Sequence, residues 1–226
     1  MLNHGVSAPL ADDDYLELAA RAARARGAVL TATTVAASGH PGGSFSSMEM
    51  YTLLYGTARV RATEPRWEDR DRIVISHGHT SPGAYTALAL AGFFPLAEVE
   101  AHFRQAGSVF EGHVERSAPG IEWSSGNLGQ GLAAGVGLAL GARLTGGEWH
   151  TFVAMSDGEQ QKGQVGEARR LAVKERLGAL TAVVDWNHIQ ISGRTDDVMP
   201  VPVAEDWRAD GWAVYECDGH DLTLDA

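Results

Sequence analysis

Apolar and polar positions along the chain alternate between two periods. Residues 12–37 are rich in Ala, Leu and Arg behind Asp12, Asp13 and Asp14, which supply first-turn negative charge and predict a helix. A turn-rich break follows at 38–44, SGHPGGS. Met48, Tyr51, Leu54 and Tyr55 then recur at helical spacing, which predicts a helix over 46–55. Residues 59–72 are charged and loop-like. A short β-branched run, Ile73-Val74-Ile75, predicts a strand that leads directly into SHGHTSPG. Helices are predicted over 84–91 and over 96–104, the second opened by Pro95. Residues 105–125 show no period and predict a long loop. An apolar Gly/Ala-rich helix is expected over 129–144, buried on nearly all sides. The remaining elements are a strand at 151–155, an amphipathic helix at 164–177, a strand at 180–184, a short helix at 204–209 and a last strand at 212–217.

Continuous apolar strands separated by helices predict an α/β fold, a parallel sheet with helices on both faces. No repeat, low-complexity segment or linker interrupts the pattern, so residues 1–226 are expected to form a single domain whose first eleven residues are flexible.

The chain has 226 residues, with 18 Lys+Arg against 29 Asp+Glu and a net charge of −11. A nucleic-acid binder or a polybasic membrane-surface protein needs the opposite balance. The low-charge run from Gly126 to Ala142 is too glycine-rich and too short for a membrane span. No basic stretch followed by an apolar one opens the chain, so no signal peptide is expected. The lone cysteine, Cys217, excludes an internal disulfide and suits a reducing compartment, so a cytoplasmic location is expected. Glycine is the outlier, with 27 residues against the ~7% that is usual.

Several of those glycines fall where open α/β sheets bind ligands, beyond the carboxyl ends of strands. SHGH follows the first strand, SDGE the second and DWNHI the third, while SSGNLGQG at 124–131 opens the buried helix. A glycine-rich turn feeding a helix presents free N–H groups to an anion, although the same turn also serves plain close packing. Asp157 ends one strand and Asn187 follows the next, thirty residues on, so a parallel sheet can bring them together. A carboxylate, an amide oxygen and a nearby carbonyl form a hard oxygen set suited to Mg²⁺ or Ca²⁺, with phosphate completing the shell. Taken singly, the two residues read better as a turn and an unrelated loop amide; three glycine-rich loops in the right order favour the ligand site.

The order SGHPGGS, SHGHTSPG, EGHVE, GNLGQG, SDGE and DWNHIQISGRTDDV resembles the N-terminal half of transketolase, over roughly residues 15–221. Asp157-Gly158 followed by Asn187 resembles the thiamine diphosphate signature, which opens Gly-Asp-Gly. The resemblance implies the diphosphate-binding (PP) fold. It implies that Asp157, Asn187 and the Ile189 carbonyl hold the metal. It places Gly158, Glu159, His79 and the Gly126 turn on the cofactor's diphosphate side and Leu128 against its rings. His40 and His113, with His79, form the implied catalytic set, the first two facing a sugar phosphate substrate. Histidine suits proton transfer because it titrates near neutrality. His4, His102, His150 and His188 match no motif, the second histidine of the His77/His79 pair is the one that matches, and His220 is expected to cap a following helix.

Two positions depart from the pattern: Ser156 replaces the signature's first glycine, and Lys162 replaces a glutamate that the family places in an acidic network at the subunit interface, while Glu167 is kept. The pyrimidine-binding (Pyr) module and the C-terminal domain of the family are not recognisable in the chain. The resemblance therefore implies a partner subunit that carries them, in a heterotetramer with two copies of each chain. It implies ketol transfer from a ketose phosphate to an aldose or another acceptor. Other thiamine diphosphate components share the module, among them 2-oxo-acid dehydrogenase first components and specialised two-carbon transferases. A non-catalytic regulatory subunit is the alternative of a different class.

Overall fold

A computed structural model describes residues 10–222. His4 and most of the segment expected to be flexible lie outside the described residues. The chain divides into two compact units.

The first unit takes in the chain up to Asp71, residues Gly78–Ser124 and the segment from Asp218. It is helical: α1 (Asp12–Val35), α2 (Pro41–Ser46), α3 (Met48–Thr57), a 3₁₀ turn (Gly78–Thr80), α4 (Ser81–Leu90) and α5 (Leu96–His102). α1 packs against α3, α4 and α5. It does so through Leu18, Ala22, Ala25, Val29 and Ala32, whose spacing of three and four residues lines one helical face. Alanine at three of these positions lets the neighbouring helices approach closely. The Asp14 carboxylate accepts the Ala11 N–H at 3.0 Å, as first-turn acids do.

The segment expected as a turn at 38–44 is half helix, because Pro41 provides a first helical residue with its φ already set. α4 likewise starts at Ser81, three residues earlier than predicted, around Pro82. The charged stretch before β1 is ordered by buried Asp71, which accepts from the Arg59 N–H at 2.8 Å and the Arg59 guanidinium at 2.9 Å. The helix that His220 is expected to cap would fall outside the described residues; its Nδ1 lies 3.0 Å from Glu49, which also pairs with Arg26.

The second unit comprises Arg72–His77 and Ser125–Cys217. Its parallel sheet has the order β1 (Arg72–Ile75), β2 (Thr151–Ser156), β3 (Leu180–Asp185). Helices α6 (Gly131–Thr145), α7 (Gly163–Lys174), α8 (Thr195–Val198) and α9 (Val203–Ala209) accompany it, with a two-residue hairpin of β4 (Ile189–Gln190) and β5 (Gly193–Arg194). A 3₁₀ turn, Gly158–Gln161, precedes α7. Val74, Val153 and Met155 join Leu132 and Val136 of α6, Val165 and Ala168 of α7, and Trp207 in one core. Strands this apolar are what a parallel sheet flanked by helices requires.

Gly135 lets α6 lie on the sheet, because a Cβ there would fall 2.4 Å from a Val153 methyl. α6 is less enclosed than predicted: Gly137 and Leu144 point outward, the latter 80% exposed. The strand expected at 212–217 does not form. Trp212 and Val214 reach the core on alternate positions, which produced the strand-like pattern. Among the described residues, however, no strand pairs with this segment, and Tyr215 is 91% exposed.

His77, two residues past β1, is fully enclosed, with Nδ1 3.0 Å from the Ala154 carbonyl. Burial lowers its pKa from 6.5 to about 4. Between those values the unfolded chain binds a proton that the folded chain lacks, so this residue's contribution falls as the solution is acidified from about 6.5 to about 4, by on the order of 2–3 kcal/mol. Urea unfolding across this range should therefore show a shallower loss for His77→Gln than for the unaltered chain; equal slopes would contradict the assignment. Gly135→Ala should cost about 1–2 kcal/mol in the same assay, since overpacking against Val153 outweighs the gain in helix propensity.

Candidate cofactor site and histidine cluster

The chemistry of the second unit gathers where β2 and β3 end. The parallel register sets Ser156 beside Asp185. The chain then continues into Asp157, whose N–H donates to the Asp185 carbonyl at 3.1 Å. The Asp157 carboxylate accepts the Gly158 N–H at 2.7 Å and the His188 N–H at 2.6 Å, so it joins the two strand-end loops. His188 adopts a left-handed backbone, φ +62°, uncommon for a residue with a side chain. Asn187 folds back, its Oδ1 accepting the Ile189 N–H at 2.9 Å. Beyond it the hairpin is pinned by Gln161, which donates to Gln190 Oε1 at 2.8 Å and to the Met199 carbonyl at 3.0 Å. The structure thus brings together Asp157, Gly158, Asn187 and Ile189, thirty residues apart in the chain.

Burial raises the Asp157 pKa, and its two backbone donors oppose the rise. Asp157 is 4% exposed and forms no ion pair among the described residues. A buried carboxylate that accepts hydrogen bonds from backbone N–H groups and forms no ion pair leaves room for a cation's charge, and an Asp, an amide and a carbonyl are oxygen donors suited to Mg²⁺ or Ca²⁺. Among the described residues no three His, Cys, Asp or Glu converge as a metal site. The donor set fits a hard cation that takes part of its shell from a ligand.

Glu159 behaves differently from the residues around it. Its carboxylate is fully buried and turned into the protein, where it accepts the Ser156 N–H at 2.9 Å, the Ser156 hydroxyl at 3.1 Å, the Gly129 N–H at 3.3 Å and the Ser76 hydroxyl. Burial raises its pKa and these four donors oppose the rise. Only its backbone remains for a ligand. Gly126 is exposed and Leu128 half-buried in the turn that Glu159 holds. Gly129 has φ +87°, and a Cβ there would lie 2.7 Å from the Lys162 side chain. Lys162 itself is exposed, precedes α7 and forms no ion pair among the described residues.

In the first unit, the predicted histidines converge on the loops around α2. His40 precedes α2 and His79 sits in the 3₁₀ turn, with ring centroids 5.4 Å apart and edge to face. Gly43 packs against the 3₁₀ turn: a Cβ there would meet Thr80 at 3.0 Å and His79 Nε2 at 3.5 Å. His40 Nδ1 is buried and has no hydrogen-bond partner among the described residues. Burial lowers the His40 pKa, reinforced by the Arg104 guanidinium and by His113. His113 lies in the long loop, beside a cavity of about 430 Å³ lined by Glu111, Gly112, Glu115 and Ser117.

Two residues escaped the sequence reasoning. The Tyr85 hydroxyl donates to the His113 carbonyl at 3.1 Å and accepts the Glu115 N–H at 3.3 Å, so it anchors this loop. Arg104, with φ +58°, receives the loop at Phe110 and bonds the Ser38 hydroxyl. Tyr85 lay in a helical run that signals only core, and nothing in sequence spacing ties Arg104 to Ser38.

Comparison with known proteins matches residues 18–224 to the family described as transketolase, thiamine diphosphate binding domain. The 6-deoxy-6-sulfo-D-fructose transketolase subunit SqwG of Clostridium sp. (strain MSTE9) is 38% identical over 80% of this chain and 67% of its own length. An apulose-4-phosphate transketolase subunit of Actinobacillus succinogenes is 36% identical over 92% of this chain and 76% of its own. Among solved structures, transketolase from Campylobacter jejuni superposes with a TM-score of 0.85 at 30% identity, and that from Leishmania mexicana with 0.83 at 32%. Each superposition covers 91% of this chain, which spans about one third of the length of the two enzymes, 34% and 33%. Sequence match and fold agree that the chain belongs to the transketolase family, as its thiamine diphosphate-binding domain.

Proposed function

We propose that this chain is the diphosphate-binding component of a two-subunit, transketolase-type enzyme that transfers a two-carbon ketol unit from a ketose phosphate to an aldose or related acceptor. The observation that carries this is the Asp157 carboxylate, buried without an ion-pair partner among the described residues and joined to the loop that bears Asn187 and Ile189. Relatives of comparable size are named as subunits, which supports a partner chain bearing the Pyr and C-terminal domains. A heterotetramer with two copies of each chain is the assembly proposed, in the cytoplasm. Among the described residues no helix is long and apolar enough to cross a membrane.

In this reading Asp157, Asn187 and the Ile189 carbonyl hold Mg²⁺ or Ca²⁺ against the diphosphate. Gly126, Gly158, the Glu159 backbone and His79 bind the diphosphate side, and Leu128 packs on the rings. Bound thiamine diphosphate supplies the carbon nucleophile and the electron sink that ketol transfer needs. The chain's own part is to position and to move protons. His40, kept neutral near pH 7 by burial and by Arg104, can accept a hydroxyl proton from the sugar at a ring nitrogen. His113, held through its carbonyl by Tyr85, presents its imidazole for the second hydrogen bond.

Mixing the chain with the Pyr-bearing partner, thiamine diphosphate and Mg²⁺ should yield ketol transfer between sugar phosphates, followed by product chromatography. A mixture that binds no cofactor would overturn the reading. Asp157→Ala should abolish metal-dependent cofactor binding while leaving the chain folded; retained affinity would remove the metal assignment. His40→Ala and His113→Ala should each lower kcat by about 10²–10⁴-fold with cofactor affinity nearly unchanged. His79→Ala should instead weaken cofactor binding, and the opposite split would reverse these roles.

A further inference from the structure

Glu159 is 0% exposed, and among the described residues no cationic side chain pairs with it. A carboxylate so placed is costly unless donors meet its lone pairs. Here the donors come from three separate segments. Ser76, at the end of β1, gives its hydroxyl proton to the oxygen that also accepts the Gly129 N–H at 3.3 Å. Ser76 Oγ in turn accepts the Gly131 N–H at 3.1 Å, so its donor and acceptor capacities are both used. Ser156, at the end of β2, gives its N–H and hydroxyl to the other oxygen, at 2.9 and 3.1 Å. The packing leaves no slack, since a Cβ on Gly131 would fall 2.4 Å from Ser76 Cβ.

We infer that Glu159 is a positioning residue, whose buried carboxylate locks the glycine turn at 126–131 onto the ends of β1 and β2. The same geometry gives Ser156 a purpose. It stands where the signature has glycine, and its hydroxyl is the fourth donor to this carboxylate. Glu159 and Ser156 therefore act as a pair, with Ser76 relaying the hold to the first residue of α6. The inference rests on the reading of Gly126 and Leu128 as cofactor contacts, because a turn held in place matters only if something docks on it. Positions two apart divide the work: Asp157 is left to a ligand, and Glu159 is committed to the protein.

The test uses the full chain as Glu159→Ala, Glu159→Gln, Ser156→Gly, Ser76→Ala and the Ser156→Gly/Glu159→Ala double variant. Hydrogen exchange at the Gly129 and Gly131 amides reads the turn, with β3 amides as the internal reference. Calorimetry of thiamine diphosphate with Mg²⁺ reads the site. Glu159→Ala should speed exchange at the two glycines by about tenfold or more, with β3 unaffected, and weaken cofactor binding by about tenfold. Glu159→Gln should fall between it and the unaltered chain. Ser156→Gly should weaken binding by a few-fold and add little once Glu159 is gone. A folded Glu159→Ala chain with unchanged exchange at the glycines, or unchanged affinity, would overturn the inference. Should that variant fail to fold, Ser76→Ala and Ser156→Gly carry the same two readouts, and no change in either would overturn it. If the unaltered chain and its assembly with the partner bind no thiamine diphosphate, the cofactor reading falls, while the exchange comparison still decides whether Glu159 holds the turn.

Discussion

The parallel register of β2 on β3 is the constraint from which the candidate cofactor site follows. Because Ser156 pairs with Asp185, the two strands end level, and the next residue of one can hydrogen-bond the end of the other. Asp157 then reaches across to the His188 N–H, and the loop carrying Asn187 and Ile189 turns back toward it through a left-handed residue. A slip of one position would turn the strand's core side chains outward, so the hydrophobic pattern that buries Val153 and Met155 also fixes where the carboxylate lies.

Burial acts on two carboxylates here with opposite results. Both are desolvated, which favours the neutral acid. Glu159 is satisfied by four protein donors from three segments and has no capacity left for a ligand. Asp157 has two backbone donors and, among the described residues, no ion-pair partner, which is the condition under which a hard cation adds favourable charge without displacing a partner. His40 of the first unit is tuned by a similar economy. His40 is half-buried beside Arg104, which keeps its ring neutral and able to take a proton.

Local chemistry was legible in the sequence wherever one segment carried its own signal. Asp12–Asp14 at a helix start, Pro95 before α5, the β-branched run of β1 and the glycine turn before α6 all fell where expected. The ordered set of motifs also located the residues that gather at the ends of β2 and β3. What stayed hidden depends on contacts between distant segments. Residues 212–217 alternate like a strand, but among the described residues no neighbouring strand is there to pair with them. The inward turn of Glu159 is set by Ser76 and Gly129, which lie far from it in the chain. Tyr85 looked like core because it is core, apart from one hydroxyl that holds the His113 loop. Ser156 stood out as a departure from a motif, and only its contact with Glu159 explains it.

The central claim is that divalent metal and diphosphate bind together at the loops joined by Asp157. The most direct measurement is a calorimetric titration of thiamine diphosphate into the chain assembled with its partner, run with Mg²⁺ and again with the metal chelated, with thiamine as the control ligand. Saturable binding of the diphosphate with Mg²⁺, lost on chelation and absent for thiamine, is the result predicted. Binding that survives chelation, or that does not distinguish thiamine from its diphosphate, would contradict the account.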